Sequence, residues 1–392
     1  MTTKSLNENK YHLTNRSARI YFPIFEMIEF PNEGCMTVDG LMGTCYARTE
    51  CLLFNGISRG FCARGFGVCC FFKANCGDIM FRNRTHLLNP NFPHAFNGEM
   101  LCDTTIKTPI DACQVRLHFV QFLISNPKDK LCTVDSLTIP HSYKIPILCG
   151  NLTGQHIYLE AKGIQELKLK IATGSHPMNR YWIIEVQFIQ CDLLLKAPSG
   201  CLQYYTGIDG VIKTFNFDCV RRRQLPTRCR SNKVINTFNS VNNTGSGNCL
   251  QQHEFIDRSH ECLIGDLEYN ICIRIEWQRC AIEWRANHFD MGPNGLFGGQ
   301  RGDFCQQNYI TIENAKSLKD FTNSEVNKQI AIKSFDRFCG SALNIDRFNT
   351  TSSPLISTVK PFQLGVTTSH HFVGRLRGAS LSYHQKVCVG NA

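Results

Sequence analysis

The chain carries 22 cysteines, and this number constrains its fold more than any other feature of the sequence. Reducing compartments do not preserve many structural disulfide bonds, so this density indicates a secreted protein or a cell-surface ectodomain. A zinc protein would instead show repeated C-x-x-C pairs with histidine partners, and the sequence contains no C-x-x-C pair. We therefore expect an extracellular protein held together by disulfide bonds.

Length and hydrophobicity predict several modules with real cores. The chain has 392 residues, of which 43% are hydrophobic, which suits two or three modules. No apolar stretch approaches the length of a membrane span, so we expect no transmembrane segment. Residues 1–30 contain no readable signal peptide, and we expect this N-terminal segment to be disordered.

The formal net charge of +10 bears on the choice of partners. A basic protein favours acidic partners, such as sulfated glycans or anionic protein surfaces, although a solvated basic surface has the same composition. Nucleic acid is not expected, because the disulfide-rich chain has no recognised nucleic-acid-reading motif.

The cysteines fall into three groups of six, with four more inside the third group. The first group forms a glycine-rich knot within residues 31–72, in which adjacent Cys69 and Cys70 must reach different partners. The second group spans residues 76–191, and the third spans residues 198–390 and repeats its order of landmarks. A polar stretch at residues 219–262 breaks the repeat, and is either an insertion or a gene-model error.

Strand patterns dominate the two larger modules. Apolar residues alternate with polar ones over 115–119, 182–188 and 271–277, a period that places one face of a strand in a core. In the last stretch, Ile275 and Trp277 belong to the apolar set. The best helix candidate is Asn314–Ile332. We predict an all-β, disulfide-rich protein with a small cysteine knot and two antiparallel β-sandwiches.

Several motifs resemble known extracellular families. Residues 76–191 resemble a CUB domain, a jelly-roll-like β-sandwich, in Cys76-Gly77, LLNPNFPHAF, CTVDSLTI and LCGNLTG. The ending YWIIEVQFIQC is similar to that of secreted arthropod CUB proteins, as are GCLQYYTGIDG, DRFCGSAL and KPFQLGV in residues 198–390. The knot, with GTCYARTEC and GFCARGFGVCC, resembles a clip domain, the regulatory module of arthropod serine proteases.

These resemblances imply a disulfide map. The clip resemblance implies Cys35–Cys69, Cys45–Cys62 and Cys51–Cys70. The CUB resemblance implies Cys76–Cys102, Cys132–Cys149 and, as the extra bridge of the arthropod type, Cys113–Cys191. By the repeat, the second module would have Cys201–Cys272, Cys305–Cys339 and Cys280–Cys388. The remaining cysteines, at positions 219, 229, 249 and 262, allow three connectivities, which spacing does not resolve.

The CUB resemblance also bears on whether the chain binds calcium. Many CUB domains hold calcium with a Glu, an Asp in a C-x-x-D stretch and a later Asp, and the calcium orders a loop that captures a partner lysine. Here only Asp135 remains of that set, and the corresponding position in the second module is Asn308. Calcium prefers several oxygen ligands, usually including two or more carboxylates. We therefore expect no calcium and no other cofactor, and expect Asp135 to make structural hydrogen bonds.

Three further sequence features suggest binding or modification. Arg301, Gly302 and Asp303 form an integrin-type tripeptide, for which a chance match is the alternative. A basic cluster in the insertion, which includes Arg221, Arg222 and Arg223, suggests sulfated glycans, with a solvated loop as the alternative. N-glycosylation sequons occur at Asn83, Asn151, Asn242 and Asn349, and a fifth at Asn15 precedes every module.

Enzyme signatures are missing. A G-x-S-x-G sequence at residues 56–60 lies inside the knot rather than between a strand and a helix. We predict a secreted protein that binds other extracellular proteins and catalyses no reaction. The alternatives are a sulfated-glycan or carbohydrate binder and a non-catalytic cofactor or decoy of clip-type serine proteases.

Overall fold

The computed structural model describes residues 29–140, 145–191, 196–219, 262–292, 299–318, 334–346, 349–372 and 374–387. The chain divides into two compact units, and the boundary between them falls at Phe72 and Lys73. Almost all regular structure is β-strand, as the sequence predicts. Among the described helices, none has the length and apolar character needed to cross a membrane.

The first unit is the cysteine-rich knot. Its elements are β1 (Gly34–Met36), β2 (Met42–Tyr46), α1 (Arg48–Leu53), β3 (Ile57–Cys62) and β4 (Gly67–Ala74). Its three disulfide bonds are those implied by the clip resemblance: Cys35–Cys69, Cys45–Cys62 and Cys51–Cys70. Gly56 is required beside the last bond, because a Cβ at this position would lie 2.1 Å from the sulfur of Cys70. Sulfur and glycine thus take the place of a large apolar core.

The first sandwich has two four-stranded sheets. Its strands are β5 (Ile79–Met80), β6 (Thr85–Leu88), β7 (Met100–Lys107), β8 (Ala112–Leu123), β9 (Ser136–Thr138), β10 (His156–Glu160), β11 (Glu166–Thr173) and β12 (Tyr181–Gln190). One sheet has the order β6-β12-β8-β10 and the other β5-β7-β11-β9. The disulfide bonds are Cys76–Cys102, Cys113–Cys191 and Cys132–Cys149, the three pairs implied by the CUB resemblance.

The second sandwich is larger. Its strands are β13 (Cys201–Tyr205), β14 (Asp209–Lys213), β15 (Glu268–Ile273), β16 (Arg279–Asp290), β17 (Gly299–Arg301), β18 (Tyr309–Ser317), β19 (Phe335–Gly340), β20 (Leu355–Ser357), β21 (Phe362–Thr367) and β22 (Gly378–Val387). They follow the order β13-β15-β21-β18-β20-β16-β22-β14, with β19 beside β18 and β17 beside β19. Most strand pairs of the two sandwiches are antiparallel. The pair β13 and β15 in the second sandwich is parallel, as is the pair β5 and β7 in the first.

The second sandwich contains Cys201–Cys272 and Cys305–Cys339, the pairs expected from the repeat. Cys280 is disulfide-bonded, and its expected partner Cys388 lies outside the described residues. Cys219 is bonded to Cys262, so the two ends of the proposed insertion are joined. The pairing of the other two insertion cysteines lies outside the described residues.

Large aromatic side chains fill both sandwiches. Trp182 of β12 and Trp284 of β16 are fully buried, together with Phe119, Phe338 and Phe362. Burial of each such side chain contributes about 1.5–3 kcal/mol. The alternating residues of 115–119 and 182–188 point into this core as expected.

Two sequence predictions differ from the structure in their bounds. The helix candidate Asn314–Ile332 was placed too early, because Asn314–Ser317 belongs to β18; its residues from 319 onward lie outside the described part. At Asn314 the backbone has φ +48° and the strand shifts register, so that β18 pairs with β21 before this point and with β20 after it.

The strand predicted through residues 271–277 ends at Ile273, so Ile275 and Trp277 do not face the core. Their exposed fractions are 37% and 85%. The distant side chain of Gln385 binds the carbonyl of Arg274 and the amide of Glu276, and this holds the segment in a turn.

Candidate binding surfaces

Asp135 of the first sandwich is fully buried in an ion pair with Arg180. The Asp135 oxygens lie 2.6 Å from Nε and 2.9 Å from Nη2 of Arg180. They also accept hydrogen bonds from the Ser125 amide at 2.8 Å and the Gly174 amide at 2.9 Å. Burial alone would raise the pKa of Asp135, but these hydrogen bonds, led by that of Arg180, hold the pKa below its usual value. The carboxylate is therefore committed to protein groups.

Arg180 uses the rest of its guanidinium group to hold a loop. Nη2 donates to the carbonyls of Gly174 at 2.9 Å and His176 at 3.1 Å, and Nη1 donates to that of Met178 at 3.3 Å. A single internal cation thus orders the segment between β11 and β12. Among the described residues, no cluster of three or more His, Cys, Asp or Glu side chains could hold a metal ion.

The two sandwiches meet along a polar seam, which we define by β10 and residues 197–205 at its upper part and by residues 150–155 and 213–218 at its lower part. In the upper part, the side chain of Gln114 donates to the carbonyl of Ala197 at 2.9 Å and accepts from its amide at 2.8 Å. His156 Nε2 lies 3.1 Å from the amide nitrogen and 2.9 Å from the carbonyl oxygen of Tyr204. Gln114 and His156 of the first sandwich therefore both find backbone partners in the second.

The lower part of the seam depends on Asn216, which is fully buried. Its side chain accepts from the Asn151 amide at 2.7 Å and donates to the Cys262 carbonyl at 2.8 Å. Gly150 is needed here, because it has φ +81° and a Cβ would lie 2.1 Å from Oδ1 of Asn216. Gln155 adds hydrogen bonds to the carbonyls of Lys213 and Thr214, both at 3.1 Å.

An open groove of about 610 Å³ crosses the outer face of the second sandwich. Its floor follows one row of paired residues, Asn270, Gly365, Thr311 and Arg337. Gly365 keeps the floor low, because a Cβ there would lie 3.2 Å from the Cβ of Thr311. On one wall, the Arg337 guanidinium packs over the Tyr309 ring at 4.9 Å from its centroid.

This groove is acidic although the chain is basic. Glu268, Glu313 and Asp336 line it together with a single cation, Arg337. Glu313 accepts from the side chain of Gln363 at 3.0 Å, and Asp336 accepts from the Asn314 amide at 2.7 Å. Within the described part of the chain, none of the three carboxylates forms an ion pair. The groove therefore offers negative charge to a partner.

The Arg301-Gly302-Asp303 tripeptide lies at the end of β17. The Arg301 guanidinium packs over the ring of Phe335, 4.0 Å from its centroid. Asp303 is exposed in the short 3-10 turn Gly302–Phe304. Because the arginine is engaged with Phe335, an integrin-type role would require it to leave that ring, and such a role remains a prediction.

The glycosylation candidates differ in exposure. Asn349 is exposed, and its Oδ1 accepts from the Thr351 amide at 3.0 Å. Asn83 is half-buried and accepts from the Phe188 amide at 2.9 Å. Asn151 is half-buried at the seam and donates to the Asp218 carbonyl at 2.9 Å. Asn242 and Asn15 lie outside the described residues, as do Arg221, Arg222 and Arg223.

Sequence reasoning did not identify Arg180, the seam or the groove. A lone aspartate in the C-x-x-D stretch could have prompted a search for a buried counter-cation. The seam and the groove bring together residues far apart in the chain, for example Asn270, Thr311 and Gly365, and no local pattern marks them.

Family models match both sandwiches of the chain. The CUB domain family matches residues 76–179, and the animal CUB domain family matches residues 198–386. Similar solved structures include the CUB1-EGF-CUB2 domains of rat MASP-1, with 10% identity, 80% of this chain and 99% of that chain covered, and a TM-score of 0.25. The CUB1-EGF-CUB2 domain of human MASP-1/3 has 12% identity and a TM-score of 0.23, with 77% of this chain and 98% of that chain covered. The full extracellular region of zebrafish Gpr126/Adgrg6 has 9% identity and a TM-score of 0.27, with 81% of this chain and 35% of that chain covered. No curated protein matches the chain.

Proposed function

The chain contains two CUB domains in tandem, and from that premise we propose that it is a secreted glycoprotein that binds other extracellular proteins and catalyses no reaction. CUB domains are generally extracellular protein-interaction modules. The many disulfide bonds are consistent with an oxidising compartment.

The observation that carries this proposal is the acidic groove of the second CUB domain. Among the described residues, its carboxylates do not belong to any cluster of three or more side chains that could hold a metal ion, and Glu268 lines the groove from an exposed position. Complementary charge steers and orients protein partners. The occupant we propose is a lysine- or arginine-bearing segment of a partner protein.

The same charge disfavours a sulfated glycan in this groove. Sulfate groups would meet three carboxylates and one guanidinium. Glycan binding through the basic cluster at residues 221–223 remains a separate prediction, and a heparin column tests it. Elution near physiological salt would count against the glycan hypothesis.

The proposed groove can be tested by charge reversal. Glu268→Lys changes an exposed side chain that makes no hydrogen bond or ion pair with the described residues, so the fold should persist. Glu166→Lys on the first CUB domain is the control, because Glu166 is also an exposed strand residue and its one ion-pair contact, with exposed Lys107, is long at 3.9 Å. The secreted full chains would be chemically crosslinked in extracellular fluid and their partners identified by mass spectrometry. Partners that are lost with Glu268→Lys and kept with Glu166→Lys support the proposal, whereas equal recovery of all partners from both variants contradicts it.

The knot favours a second role. Its three disulfide bonds match those of the clip resemblance, which supports a role as a non-catalytic cofactor or decoy of clip-type serine proteases. Co-purification with such a protease through the wild-type knot would support this role. Unchanged recovery of the protease after deletion of residues 31–72 would contradict it.

A further inference from the structure

His156 lies in the seam between the two CUB domains, at the start of the edge strand β10. Its exposed fraction is 5%, and its Nε2 atom is within hydrogen-bonding distance of the Tyr204 backbone in the second domain. The Tyr205 ring covers it with centroids 4.8 Å apart. This side chain therefore leaves water only when the two domains are packed together.

The surroundings of His156 favour a neutral ring. The titratable and charged groups that face it come from β8, from β10 itself and from β13: Arg116, His118, Tyr158, Tyr204 and Tyr205. No carboxylate of the described residues is among the groups that act on its charge. A second proton on the ring would place a full positive charge beside Arg116 in a site closed to solvent, and such a charge is costly without a partner.

We propose that the seam is an acid-sensitive joint, in which protonation of His156 releases β10 of the first CUB domain from β13 of the second. Each sandwich has its own disulfide bonds, which hold its strands together while the joint opens. A protein that carries partners into an acidified compartment would thereby change the relation between its two CUB domains there.

The direction of the effect follows from linkage. Burial, and then the charges of Arg116 and His118, lower the pKa of His156 from 6.5 to about 3. In the separated state the ring returns to its ordinary pKa. The neutral ring therefore stabilises the closed seam fully above pH 6.5, and this stabilisation is lost as the pH falls from 6.5 towards 3. Between pH 7.5 and pH 5.0 the ratio of open to closed seam rises about 30-fold.

Hydrogen exchange of the secreted full chain measures this ratio. The reporting amides are those of Tyr204, which faces His156, and Ala197, which is bonded to Gln114. After correction for the pH dependence of intrinsic exchange, their protection should fall about 30-fold between pH 7.5 and 5.0. Amides of β16 inside the second core should keep their protection over the same range.

Two variants make the test specific. His156→Gln removes the titrating group, so the protection of residues 197–205 should lose its pH dependence whatever its absolute value. His118→Gln removes the histidine paired opposite His156 on β8 and should retain the dependence. Wild-type protection that is independent of pH would overturn the proposal, as would an undiminished pH dependence in His156→Gln. Should His156→Gln not be secreted, His156→Phe provides the same comparison.

Discussion

Replacement of Arg180 by methionine should be among the most damaging single changes in the first CUB domain. Arg180→Met keeps much of the side-chain volume but removes the cation that faces Asp135, whose side chain is 0% exposed. A buried ion pair that loses one partner is destabilised by about 3–5 kcal/mol, because the remaining charge is left without compensation. The carbonyls of Gly174 and His176 lose their donors as well.

The assay is urea unfolding at pH 7 with the disulfide bonds intact, followed by tryptophan fluorescence. The free energy of unfolding should fall by about 3–5 kcal/mol, seen as a lower midpoint urea concentration. The dependence of that free energy on urea concentration should not change. The pH dependence should also reverse. In the wild type the low pKa of Asp135 contributes stability at pH values above the ordinary aspartate pKa, and this stability is lost on acidification through the folded pKa. In Arg180→Met the buried carboxyl prefers its proton, so mild acid should stabilise.

The double variant Asp135→Asn with Arg180→Met provides the internal control. Removing the unpaired carboxylate of Asp135 should recover part of the lost stability, on the order of 2 kcal/mol. A double-mutant cycle measures this interaction energy between the two positions. A loss below about 1 kcal/mol in Arg180→Met, or no recovery in the double variant, would refute the argument that a buried cation orders this loop.

Three further outcomes are expected. Gly150→Ala should loosen the seam, because its Cβ would overlap Asn216, and reduced protection of the Asn151 amide in hydrogen exchange would report it. Chelation of calcium should leave the unfolding temperature of the protein unchanged, since Asp135 is committed to Arg180; a shift of several degrees in calorimetry would oppose this. Joint replacement of Cys219 and Cys262 by serine should lower the free energy of unfolding by about 2–4 kcal/mol in urea titrations, and an unchanged midpoint would show that this bridge is dispensable.

The core of the sandwiches could be predicted from the sequence because it is encoded locally. Leu117 and Trp182 lie in stretches where every second residue is apolar, and such stretches can bury only one face. The same rule failed at Trp277. There the alternation continues through the segment, but the strand ends at Ile273 because Gln385, more than a hundred positions away, binds the turn backbone.

The binding surfaces could not be predicted from the sequence because long-range register creates them. Asn270, Thr311 and Gly365 come from three separate stretches, and only the pairing of β15, β21 and β18 brings them to one groove. The seam likewise joins Gln114 to Ala197 and His156 to Tyr204 across two domains. The cysteine pairs could be predicted because the family resemblance implies the pairing that spacing leaves open.

The central claim is that oxidised cysteines hold this tandem of CUB domains together. Non-reducing peptide mapping of the natural protein, recovered from the medium of the cells that make it, tests this claim most directly. We predict crosslinked peptides for Cys113–Cys191, Cys201–Cys272 and Cys219–Cys262, with little free thiol. Protein retained inside cells with mostly free or metal-bound thiols would contradict the account.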